Sequence, residues 1–117
     1  MRWEPTVESS RVDGSSAELK FVVPADLTYF DGHFAGAPIV AGVVQVKWAI
    51  DFASRYLGAT GQFAGFEALK FQRALQPEQP VVLTLRWAAA DGKLHFSYTS
   101  GDLKFGSGRI LLRAVPQ

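Results

Sequence analysis

One stretch constrains this 117-residue chain more than any other: from Ile39 to Leu57 the residues are apolar nearly all the way round a helix. At 3.6 residues per turn, Lys47, Asp51, Ser54 and Arg55 fall at i, i+4, i+7 and i+8, one narrow polar stripe. Apart from Gln45 the rest of that segment is apolar, and Gly58 follows as the residue that ends it. A helix of this kind must be buried over most of its circumference. A short chain achieves that by wrapping a sheet around it. Gln45, Lys47 and Asp51 also break the longest apolar region, Ala35 to Ala53, too often for it to span a bilayer.

The remainder supplies such a sheet. Ala17, Leu19, Phe21 and Val23 alternate with Glu18 and Lys20, a half-buried strand stopped by Pro24. Before it, residues 1–15 read as an arm, with Pro5, Gly14 and several serines. After the helix, Phe66 to Phe71 reads as a strand leading to a turn at Pro77–Pro80. Val81, Leu83, Leu85 and Trp87 alternate with Val82, Thr84 and Arg86, Asp91-Gly92 marks a tight turn, and Leu94, Phe96 and Tyr98 alternate again. A last strand pair is expected within Leu103–Val115, interrupted by Gly106-Ser107-Gly108. The order predicts one α+β domain over residues 1–117, an antiparallel sheet on one helix.

Composition narrows the function. Twelve Lys and Arg against eleven Asp and Glu leave a net charge of +1, with no basic run, so neither nucleic acid nor an anionic membrane is an expected partner. Cysteine is absent, which removes disulfides, Cys-ligated metals and a Cys nucleophile. The start, MRWEPTVESS, lacks the apolar stretch of a signal peptide, so a soluble, cytoplasmic domain is expected. No GxGxxG, P-loop, G-x-S-x-G or metal-ligand spacing occurs, and no cofactor or metal is expected. The low charged share, 20%, points to apolar surface covered by a partner subunit.

The chemistry that remains centres on the loop Tyr29-Phe30-Asp31-Gly32-His33-Phe34-Ala35-Gly36-Ala37-Pro38, whose aromatic and glycine content suits a shaped pocket. His33 titrates near neutrality and is the natural proton acceptor or donor. His95, on the polar face of a strand, reads as a solvated surface residue. Gly42 falls in the first turn of the helix, where free N–H groups and the positive dipole end can hold an oxygen gaining negative charge. Gln45 is either a substrate contact or a core hydrogen-bonding group. Tyr29, Phe30, Phe34 and Trp48 either line an acyl channel or pack the core.

The run Gly32-His33-Phe34-Ala35-Gly36-Ala37-Pro38-Ile39-Val40-Ala41-Gly42-Val43 resembles the active-site segment of hot-dog-fold 3-hydroxyacyl-carrier-protein dehydratases of the FabZ and FabA type, G-H-F-P-x-x-P-x-x-P-G-hydrophobic. Leu69-Lys70-Phe71-Gln72-Arg73-Ala74-Leu75-Gln76-Pro77 is similar to their F-R-R-P-hydrophobic-x-P segment, and the likeness covers about residues 16–114. The run Val43-Val44-Gln45-Val46-Lys47-Trp48-Ala49 resembles the ApeI-type aryl-polyene branch. Two of the family's prolines are Ala35 and Ala41, and its acidic partner, fourteen residues after the histidine, is Lys47.

The resemblance implies a homodimer in which a sheet wraps a central helix. It implies dehydration of 3-hydroxyacyl thioesters, on acyl-carrier protein or coenzyme A, to trans-2-enoyl thioesters in fatty-acid-like or aryl-polyene synthesis. His33 would take the C2 proton and the Gly42 N–H would steady the thioester oxygen. Either His33 would also protonate the departing hydroxyl, or Lys47 would. Phe34, Val43, Gln45, Tyr29 and Phe30 are the implied substrate contacts. An acyl thioesterase using Asp51, or an acyl-binding subunit without activity, are the competing expectations.

Overall fold

The computed structural model describes residues 3–26 and 42–114. Six strands and one long helix account for most of them: β1 (Ser9–Asp13), β2 (Ser16–Val22), α1 (Gly42–Leu57), β3 (Gln62–Phe71), β4 (Pro80–Ala88), β5 (Lys93–Ser100) and β6 (Leu103–Arg113). The strands form one antiparallel sheet in the order β1-β2-β4-β5-β6-β3. The helical segment thus carries the chain from β2 to the far edge, and the hairpins β4-β5-β6 fill the space between.

The period-2 alternation decides which face is covered. Ala17, Leu19 and Phe21 from β2, Leu83 and Leu85 from β4, Leu94 and Phe96 from β5, and Ile110 from β6 are buried on the helix side. Against them α1 lays Val44, Val46, Trp48, Ala49, Phe52 and Ala53. Each fully buried Leu or Phe contributes about 1.5–3 kcal/mol relative to exposure, so this interface dominates the folding free energy. Gly58 closes α1 at φ +65°, as expected of a helix-ending glycine. Among the described residues, no helix is long and apolar enough to cross a membrane.

Three expectations need correction. The presumed arm contains β1, which pairs with β2 from Ser9↔Lys20 to Asp13↔Ser16 even though all five of its residues are exposed. An edge strand buries little, so its pattern carries no alternation to read. The last strand pair is one continuous strand, β6. A side chain on Gly106 would meet Phe71 and Gln45, and one on Gly108 would lie 3.1 Å from Leu69, so these glycines permit close crossings and do not end the strand. The third correction concerns β3, which begins at Gln62 and bulges between Glu67 and Lys70 opposite Gly108.

Helix α1 is also less fully covered than its composition suggests. Lys47, Ser54 and Arg55 are exposed and Asp51 is half-buried, as the stripe predicts. Val43, however, is 76% exposed, and Phe63, Phe66, Leu69 and Phe71 of β3 are exposed as well.

Candidate functional site

The N-terminal end of α1 is where the described candidate residues gather. The first backbone N–H groups of any helix have no intrahelical partner, and the dipole makes that end favourable for an anion. Gly42 opens α1, and no acidic side chain sits in the first turn to occupy those donors. Phe71, at the end of β3, lies over this turn. A methyl group added to Gly42 would fall 2.7–3.0 Å from its ring carbons, and one added to Gly106 would meet the same ring. The two missing side chains therefore form the slot in which the ring sits.

From this end an open groove of about 480 Å³ runs between α1 and β3, lined by Val43, Val46, Ile50, Phe63 and Phe66 together with Lys47 and Asp51. The Phe63 and Phe66 rings pack at 4.9 Å between centroids. Val43 and Lys47 share this groove; a larger hollow of about 600 Å³, between Trp87 and Arg113, holds none of the candidate catalytic or substrate-binding residues. Lys47 Nζ lies 2.6 Å from Asp51 Oδ2, an exposed i,i+4 ion pair. Such pairs contribute a few tenths of a kcal/mol to the helix, so their value is in placing charge along the groove.

Gln45 is 1% exposed and is not part of the groove lining; its side-chain oxygen points toward Gly106 of β6. Its backbone carbonyl accepts a hydrogen bond from the Tyr98 hydroxyl. Burial pushes the Tyr98 phenol well above its ordinary value, so it remains a neutral donor. Trp48 packs in the core, edge-on to Phe21 with centroids 6.1 Å apart, and its indole N–H donates to the Trp3 carbonyl at 3.0 Å. His33, Phe34, Tyr29 and Phe30 lie outside the described residues.

The sequence reading missed Tyr98, Phe71 and Gly106 as parts of this end of the helix. Alternation already turned Tyr98 inward, and glycine inside a strand signals close backbone approach. Neither pattern says which residue of α1 is approached.

His95 is half-buried on the outer face of the sheet, away from the groove. Its Nε2 is 3.1 Å from Arg86 Nη2. A guanidinium only donates, so the ring accepts there as a neutral imidazole. Desolvation, then Arg86, Arg109 and Lys93, hold its pKa below the ordinary 6.5, with Glu67 opposing weakly. Unfolding therefore takes up a proton below that value. The stability from neutral His95 should be complete above pH 6.5 and be lost as pH falls through the depressed folded value. Denaturant midpoints compared on either side of that pH should drop on acidification in the wild type and less so in His95→Gln. Glu67 acts in a lower window. Lys93 and Arg109 hold its carboxyl below the ordinary 4.5, so its contribution is lost only as pH falls below that value.

Comparison with known proteins agrees with this architecture. The family model described as "ApeI-like: ApeI dehydratase" matches residues 9–109. A 3-hydroxyacyl-[acyl-carrier-protein] dehydratase FabZ from Syntrophomonas wolfei is 29% identical over 73 residues, 56% of this chain and 51% of the relative. The chain thus matches about half the length of that curated relative. The structure titled "The Dehydratase Heterocomplex ApeI:P from Xenorhabdus doucetiae" superposes with a TM-score of 0.86 at 28% identity, covering 94% of this chain and 98% of that one. An uncharacterized protein from Erwinia carotovora subsp. atroseptica gives 0.82 at 33% identity, covering 96% and 98%. The fold is the hot-dog fold of these dehydratases. With most of its length matched by the model and its sheet and helix superposing on a dehydratase, the chain belongs to the ApeI-like dehydratase family.

Proposed function

We propose that this chain dehydrates 3-hydroxyacyl thioesters held on an acyl-carrier protein, giving trans-2-enoyl thioesters for aryl-polyene or fatty-acid-like synthesis. One observation carries the reading: the start of α1 at Gly42, with its free backbone N–H groups, adjoins through Val43 an apolar groove able to take an acyl chain. The Gly42 N–H donates a hydrogen bond to the thioester oxygen as the C2 proton leaves, a role worth roughly 3–4 kcal/mol of barrier for one such donor. His33 takes the C2 proton. With Lys47 in place of the family's acid and tied to Asp51, His33 then returns a proton to the departing hydroxyl, so that water leaves and the base is regenerated. Lys47 remains the second candidate for that proton, because it stands in the same groove.

The exposed apolar strip of Val43, Phe63 and Phe66, beside the β3 edge of the sheet, supports a second subunit on this side. We take it to be another copy of the chain; a different chain, as the name of the Xenorhabdus heterocomplex indicates for that protein, is the alternative. Light scattering should report twice the monomer mass, and Phe66→Glu should lower it.

The function is tested by mass spectrometry of a carrier-bound 3-hydroxyacyl thioester incubated with the protein. Loss of one water is the expected result. Release of free carrier thiol, abolished by Asp51→Asn, would point to a thioesterase, and an unchanged mass with intact binding to an acyl-binding subunit.

A further inference from the structure

The first turn of α1 is held from two sides by Phe71 and Tyr98. Laterally, the Phe71 ring fills the slot made by Gly42 and Gly106, which resists sideways movement of the turn. Along a second direction, the Tyr98 hydroxyl donates to the Gln45 carbonyl, three residues after Gly42. In an α-helix that carbonyl already accepts from the N–H four residues on. The phenol therefore takes its second lone pair, and the helix needs no such partner to be satisfied. What the bond adds is a tie between β5 and the turn that carries Gly42.

From this geometry we infer that Tyr98 is a positioning residue: it holds the first turn of α1 so that the Gly42 N–H meets the thioester oxygen. The inference rests on the Gly42 reading above and adds to it the part of the core that fixes the donor. A hydrogen bond to a developing oxyanion depends steeply on placement, and a shift of about 1 Å can cost about 10²-fold in rate. Binding of the acyl chain in the groove depends on Val43, Phe63 and Phe66, and Tyr98 is not part of that lining. Loss of the tie should accordingly appear in kcat and leave KM alone.

The test uses Tyr98→Phe, which keeps the ring and removes the hydroxyl, and Leu94→Val at the other end of β5 as a core change of similar severity. Kinetics with a 3-hydroxyacyl thioester are paired with infrared spectra of a bound acyl thioester that lacks the 3-hydroxyl and carries a 13C-labelled carbonyl. Binding to wild type should lower the carbonyl stretch. Tyr98→Phe should return the band toward the free value and cut kcat about tenfold at nearly constant KM, whereas Leu94→Val should change neither. If Tyr98→Phe does not fold, Gly106→Ala, which displaces Gln45 and Phe71 from the β6 side, should move the band in the same direction. A lowered band that survives unchanged in Tyr98→Phe, with kcat intact, overturns the inference alone. An unshifted band in the wild type overturns the Gly42 reading and the inference with it.

Discussion

Replacing His33 with alanine is expected to lower dehydration by about 10²–10⁴-fold, the usual worth of a positioned general acid–base group, or roughly 3–5 kcal/mol of barrier. The effect should fall on kcat and kcat/KM together, because proton transfer belongs to the transition state while the proposed acyl site is the groove along α1. Retained binding of a thioester without the 3-hydroxyl would show that the pocket survives. Lys47→Ala gives the companion measurement. If His33 moves both protons, Lys47→Ala should stay within about tenfold of wild type, since its pair with Asp51 is an exposed one. A loss comparable to that of His33→Ala would instead identify Lys47 as the acid. Turnover unaffected by His33→Ala would remove the dehydration mechanism altogether.

Trp48→Ala should be the most damaging of the stability changes considered, by about 3–5 kcal/mol. The side chain is 1% exposed, packs edge-on against Phe21 of β2, and is the largest of the fully buried ones. Truncation leaves a cavity between the helix and the sheet and removes the donor that holds the Trp3 carbonyl. Set against a typical total of 5–15 kcal/mol, such a loss is a large share of stability, and a fall in Tm on the order of 15 °C is expected. Trp48→Phe separates the two contributions. It keeps an aromatic ring and should recover most of the packing while still losing the indole hydrogen bond, worth about 0.5–1.5 kcal/mol. Equal melting temperatures for Trp48→Ala and wild type would contradict the burial described above.

Family and architecture were legible in the chain because they depend on local and periodic information. The alternation of Leu83, Leu85, Leu94, Phe96 and Tyr98 follows from the pleat, and all five are buried as it requires. The narrow stripe of Lys47, Asp51, Ser54 and Arg55 follows from 3.6 residues per turn, and it lies at the surface. The motif from Gly32 to Val43, with the Val43–Ala49 run, pointed to the family that the comparisons show. Strand β1 was not legible, since an exposed edge strand buries neither face and leaves no period to detect.

The site divides along the same line. Which residues can exchange protons or hold an oxyanion is a property of residue type and of position relative to a helix start, so the sequence alone offers His33 and Gly42 as candidates. Which groups hold Gly42 in place is a property of strands that return from far along the chain. Phe71 follows it by 29 residues, Tyr98 by 56 and Gly106 by 64. Their convergence depends on sheet order, on the registers that set β6 between β5 and β3, and on close crossings at glycines. Hydrophobic patterning specifies that a residue turns inward; only the packed structure, in which each space admits one side chain, decides what it meets there.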